Sequence, residues 1–155
     1  TVVTTVSDGV PAGATVSSFA SLSLEPPLVT VAFDRNSRVL AQLLEARRFG
    51  VNLLGHAQAG LATLFATRDA DRFARADWYL DSGLPRLEGA AGWLECDLFE
   101  SVAGGDHLLL LGHVVGASRA ELPPLVYAYR TFGTHSRYDD RHRTAITDSL
   151  AALAR

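Results

Sequence analysis

GATVSSFASLSLEPPLVTVAFD, residues 13–34, is the stretch whose reading decides the fold. It opens on small residues, sets Ser17, Ser18, Ser21 and Ser23 between apolar neighbours, breaks at Pro26-Pro27 and ends in the apolar run LVTVAF. Such a run after two prolines reads as a strand, because neither proline can donate to a ladder. The part ahead of it offers hydroxyls and unencumbered backbone amides beside Phe19, which suit a ligand with a phosphate and a flat ring. Serines at a strand end also satisfy local backbone, so the residues by themselves leave both readings open.

Upstream, VVTTV (residues 2–6) is β-branched and strand-like. Ser7-Asp8-Gly9 supplies hairpin chemistry, Gly13 permits a further sharp bend, and residues 14–19 read as the returning strand, loosening into the serine-rich loop. Downstream, Asn36 or Ser37 caps a helix whose Val39, Leu40, Leu43 and Leu44 recur at helical spacing. FGVNLL (residues 49–54) is a short buried strand. A second helix follows from about Ala57 to Phe65, with Leu61, Leu64 and Phe65 as its apolar stripe. Residues 69–76 read as a further helical turn. Residues 78–89, with Gly83 and Pro85, read as an irregular connection.

The pattern then returns to strands. Leu94, Cys96 and Leu98 alternate with Glu95 and Asp97, as a half-buried strand should. Gly104-Gly105-Asp106 turns into a strand over residues 107–117, and Pro123-Pro124 precedes residues 125–129 as the last strand. In the tail, Ile146, Leu150 and Leu153 share one helical face, with Asp139 and Asp140 near its start. The tally is about six or seven strands with short links and a few inserted helices. The expected fold is therefore mainly β with peripheral helices, a closed or half-open barrel, since the βαβ rhythm fails in the second half. One domain over residues 1–155 is expected.

Bulk properties narrow the function classes. The chain is 48% hydrophobic and 20% charged, with net charge −3, so neither wholesale disorder nor a basic face for nucleic acid is implied. The single cysteine, Cys96, excludes an internal disulfide and a cysteine-based zinc site, fits a reducing cytoplasm, and reads as core filler. His56, His113 and His142 have no partner at ligand spacing, so no metal site is expected. No apolar run approaches the roughly 18 residues of a membrane span, and no secretory signal is visible. The chain begins at Thr1 in a strand-like segment and contains no methionine, so its true N-terminus is expected upstream.

Four stretches, in order, carry a resemblance: TVVTT (1–5), TVSSFASLSLEPP (15–27), FGVNLL (49–54) and GDHLLLLG (105–112), with LVYAY (125–129) and Gly133 as a weaker fifth. The chain resembles the flavin reductase domain family, the FMN-binding split β-barrel that forms the reductase component of two-component flavin-dependent monooxygenases. The helix that usually precedes TVVTT in that family is absent from this sequence, and His113 stands where the family often has arginine.

The resemblance implies an NAD(P)H-dependent flavin reductase. It would take FMN or FAD, use NADH or NADPH as co-substrate, and release reduced flavin to a monooxygenase, as a cytoplasmic homodimer. The flavin carries the hydride chemistry itself, so the protein's work is binding and orientation. On this reading the amides of Thr15, Val16, Ser17, Ser18 and Phe19 meet the polar ring edge, and Ser21 and Leu22 follow along the ribityl chain and ring. Asn36, Ser37 and Arg38, at a strand-to-helix junction, form a phosphate site that is compatible with a plain N-cap. Phe65 and Ala66 pack against the flavin or serve only the core, with Gln58 a weaker candidate for the same pocket. His107 sits on the nicotinamide side, and His135, Ser136, Arg137 and Tyr138 close over NAD(P)H. A non-enzymatic flavin-binding electron carrier on the same fold is the alternative; residues 104–107 and 135–138 are what such a carrier would not need.

Overall fold

The computed structural model describes residues 1–67 and 71–134. β1 (Val2–Ser7) and β2 (Val10–Thr15) form a hairpin closed by Asp8 and Gly9 at φ 53° and 74°, the two left-handed positions that a type I′ turn requires. That turn pairs Ser7 directly with Val10. The returning strand therefore starts four residues earlier than its sequence suggests, and Gly13 lies inside it rather than at a bend. Its missing side chain serves packing: a Cβ there would stand 3.1 Å from Thr4 Cγ2 and 3.3 Å from Phe65 Cε1.

β3 (Ala20–Leu24) takes up part of the expected serine-rich loop and pairs with β4 (Pro27–Asp34) around the two prolines. α1 (Arg38–Ala46) is capped by Ser37, whose Oγ accepts from Leu40 N at 3.4 Å, and buries Val39, Leu40 and Leu43. β5 (Arg48–Leu53) takes in FGVNLL up to Leu53. A 3₁₀ turn at His56–Gln58 leads into α2 (Ala59–Ala66), and another covers Arg72–Arg75.

Residues 78–89 are not irregular. β6 (Trp78–Asp81) and β7 (Leu84–Leu87) form a hairpin around Ser82-Gly83, both at positive φ. The pair forms its own two-stranded sheet, and such an edge tolerates Pro85. β8 (Gly92–Gly104) and β9 (His107–Arg119) are the longest strands, joined by Gly105-Asp106. β10 (Val126–Ala128) is not the last strand: Tyr129 and Arg130 turn the chain into β11 (Thr131–Gly133). The expected tail helix lies outside the described residues.

The main sheet has seven strands in the order β2-β1-β5-β8-β9-β4-β3, and its pairings are antiparallel. Its two edges, β2 and β3, are consecutive in sequence and joined only by residues 16–19. Five Cα steps reach roughly 18 Å at full extension, so the sheet must curl until its edges nearly meet. The result is a barrel split between β2 and β3, with residues 16–19 crossing the gap. Phe49, Val51, Cys96 and Leu110 fill the interior and Leu43 of α1 packs among them; a second cluster, around Val2, Leu54, Phe65 and Leu87, lies under α2.

Candidate functional site

A cleft of ≈ 550 Å³ opens where the barrel is split, within the roughly 300–1,000 Å³ usual for small-molecule sites. Three elements wall it. The segment crossing the split supplies Thr15, Val16, Ser17 and Phe19; α2 supplies Ala62, Thr63 and Ala66; the β10–β11 hairpin supplies Leu125, Tyr127, Arg130 and Phe132.

Each wall is fixed by contacts that the local sequence sets. Thr15 Oγ1 donates to Ala62 O at 2.7 Å, tying β2 to α2. Val16 N donates to Thr1 O at 3.0 Å, and Thr1 Oγ1 donates to Val16 O at 2.9 Å. Ser18 Oγ accepts from Ala32 N at 2.8 Å and donates to Ala32 O at 3.1 Å, pinning the crossing segment to β4. The base of the hairpin is held by Leu125 N donating to Leu54 O and His56 N donating to Pro123 O, both at 2.8 Å. Above that base, the Tyr127 and Phe132 rings lie 4.8 Å apart at 45°.

These contacts sort the backbone donors. Val16 N–H is spent on Thr1, whereas the N–H groups of Ser17, Ser18 and Phe19 have no partner among the described residues. Ser17 and Phe19 line the cleft and Ser18 does not, so two of these donors belong to the wall, which is tied on both sides and suits an acceptor-rich planar edge. Polar donors that are prepaid in this way cost little to order on binding. Among the described residues, the lining carries one charged side chain, Arg130, and no carboxylate.

The remaining sequence-predicted residues fall into three groups. Ser21 and Leu22 lie on the exposed edge strand β3, outside the cleft lining. Asn36, Ser37 and Arg38 begin α1, where Asn36 N donates to Asp34 Oδ1 at 2.7 Å. His107 pairs with Asp34 across β9 and β4, and Arg35 N and Nε donate to Asp106 O and Gly105 O at 3.0 and 2.8 Å. The β8–β9 turn and the start of α1 therefore share one corner. His107 Nδ1 lies 2.7 Å from Asp106 Oδ1, and this hydrogen bond, then the histidine's charge, holds the Asp106 carboxyl below its ordinary value.

Phe65 is 1% exposed and packs edge-on against Phe73 with ring centroids 5.1 Å apart, so it serves the core. Gln58 is committed to the loop around it, donating to Glu88 O and accepting from Gly55 N at 2.6 and 2.8 Å. Of the pair that ends α2, Ala66 alone reaches the cleft. His135, Ser136, Arg137 and Tyr138 lie outside the described residues. The hairpin wall was missed in the sequence because Tyr129-Arg130 carries none of the Gly or Asn that marks a type I′ turn. The alternation Leu125, Tyr127, then Phe132 was its one readable signal.

The flavin reductase like domain model matches residues 1–136. The chain is 38% identical over 129 residues to a probable flavin reductase of Rhizobium meliloti, covering 81% of this chain but only 42% of that protein. It is 39% identical over 133 residues to the reductase component of a 4-nitrophenol 4-monooxygenase/4-nitrocatechol 2-monooxygenase from Rhodococcus opacus, covering 86% of this chain and 72% of the other. Among solved structures, the NADH:FAD oxidoreductase of Streptomyces globisporus in complex with NAD and FAD fragments superposes with a TM-score of 0.83 at 33% identity, covering 87% and 83% of the two chains.

Proposed function

The chain belongs to the flavin reductase like domain family, and from that premise we propose that it is an NAD(P)H:flavin oxidoreductase that supplies reduced flavin to a separate flavin-dependent monooxygenase. The observation that carries this reading is the cleft at the split, lined on one wall by Ser17 and Phe19, whose N–H groups have no partner among the described residues, and on another by Arg130. The residues fit a flavin. The N–H groups of Ser17 and Phe19 suit the carbonyl edge of its ring, and Ala62 and Ala66 leave room beside the ring face. A bound isoalloxazine supplies the hydride acceptor, so the protein needs no general acid of its own.

The protein's residues bind and orient. Ser18, fastened to Ala32, holds the crossing segment in place beside the cleft, while Val16 and Phe19 line its apolar side. The start of α1 is the proposed flavin phosphate site, on helix-terminal N–H groups with Arg38 adjacent. His107, oriented by Asp106, stands at the same corner and is assigned to the nicotinamide side, with His135, Ser136, Arg137 and Tyr138 proposed to complete it.

The partner monooxygenase is inferred from relatives such as the Rhodococcus opacus reductase component. A homodimer in the cytoplasm completes the reading, supported by the exposed Leu22 and Leu24 on the edge strand β3; a monomeric mass in light scattering contradicts the dimer. The function is tested by anaerobic mixing of the protein with FMN or FAD and NADH or NADPH. Bleaching of the oxidised flavin bands in at least one combination is expected, and no reduction in any of the four rejects it.

A further inference from the structure

The cleft's electrostatics rest on one side chain. Among the described residues its lining holds Arg130 and no Asp or Glu, in a chain whose net charge is −3. The guanidinium has no hydrogen bond or ion pair among the described residues. Arg35, Arg47, Arg48 and Arg86 are each committed to a carbonyl or carboxylate; Arg38 and Arg119 also have no side-chain partner among the described residues, but neither lines the cleft. An uncompensated fork of N–H donors beside an apolar cleft favours an anion, and its geometry matches phosphoryl oxygens.

The backbone adds an independent observation. Arg130 sits at φ 61° and its neighbour Tyr129 at φ 51°, a left-handed pair that Asn-Gly would adopt at less cost. Strained non-glycine positions concentrate where a side chain is needed for binding. The strain also places Arg130 at the tip of the hairpin whose Tyr127 and Phe132 face the same cleft.

We propose that Arg130 is a specificity-determining residue that reads a phosphoryl group of the ligand in this cleft. The inference rests on the flavin reading of the cleft and deepens it. The phosphoryl group can belong to the nicotinamide dinucleotide, or to the flavin in place of the assignment to the start of α1, and both present the same chemistry to the guanidinium.

The test is calorimetric binding of riboflavin, FMN, FAD and NADH to the wild type and to Arg130→Gly. Glycine removes the guanidinium while relieving the turn, so the fold should persist; thermal unfolding checks it. The expected result is a roughly tenfold weaker Kd for phosphate-bearing ligands, with riboflavin, which has no phosphate, unchanged. Loss on FMN and FAD assigns the flavin phosphate; loss on FAD alone assigns its pyrophosphate; loss on NADH alone assigns the nicotinamide dinucleotide. An equal loss on riboflavin, or no loss on any phosphate-bearing ligand, overturns the proposal. Failure of the wild type to bind any flavin would instead reject the reading of the cleft.

Discussion

Cys96 shows how position, not residue type, decides chemistry. Its side chain points into the barrel at 0% exposure, and burial, with Asp97 and Glu95 on either side, pushes its thiol up to about 12 from 9.0. A thiol held protonated is a poor nucleophile. The folded protein should therefore resist a thiol reagent at about pH 8 and react only on unfolding. The linkage has a definite sign. Between the ordinary value of 9.0 and about 12 the unfolded chain has lost a proton that the folded one keeps, so stability falls as pH rises through that window and is intact below it. Chemical unfolding across that range checks it; stability that is flat or rising there contradicts the account. The core role of Cys96 was legible from its alternation with Glu95 and Asp97. What its neighbours hid was which amides of residues 15–19 are free. Val16 is spent on Thr1 and Ser18 reaches Ala32, pairings of residues 15 and 14 positions apart that no local pattern records.

At the scale of elements, the least legible piece is the β6–β7 hairpin. Pro85 and Ser82-Gly83 mark a loop by composition, and the partners that hold the hairpin lie far away in sequence. Asn52 Oδ1 accepts from Leu87 N at 2.7 Å while its Nδ2 donates to Val2 O at 3.2 Å, and Thr4 Oγ1 donates to Pro85 O at 2.6 Å. Asn52 and Thr4 are both 0% exposed. Two of the recognisable motifs, TVVTT and FGVNLL, thus contribute a buried polar clamp under the hairpin. Replacing Asn52 by alanine strands the Leu87 N–H, at a cost of about 2 to 3 kcal/mol. The urea midpoint should fall by that equivalent with an unchanged slope, and the Leu87 amide should exchange faster. An unaltered midpoint would show that the clamp carries no stability. The elements that were legible, β4, α1 and β5, are those whose signals are local: a double proline, a serine cap and a compact apolar run.

For the whole molecule, the decisive feature is that the edges of the sheet are neighbours in sequence. Four residues join β2 to β3, so the curl of the sheet, the split and the place of the cleft follow from one short connection. Its composition was readable. Strand order was not, because pairing of β1 with β5 and of β4 with β9 depends on closure across the barrel. The account's central claim is that flavin occupies this cleft, between the crossing segment, α2 and the β10–β11 hairpin. Ala66 lines it from an exposed position at the end of α2, so Ala66→Trp fills the site without entering the core. Flavin fluorescence titration is the direct measurement. The account predicts a Kd raised by about tenfold or more, because the indole takes volume that the ring needs, with an unchanged unfolding midpoint. Wild-type flavin affinity in the folded variant would place the flavin elsewhere and contradict the account.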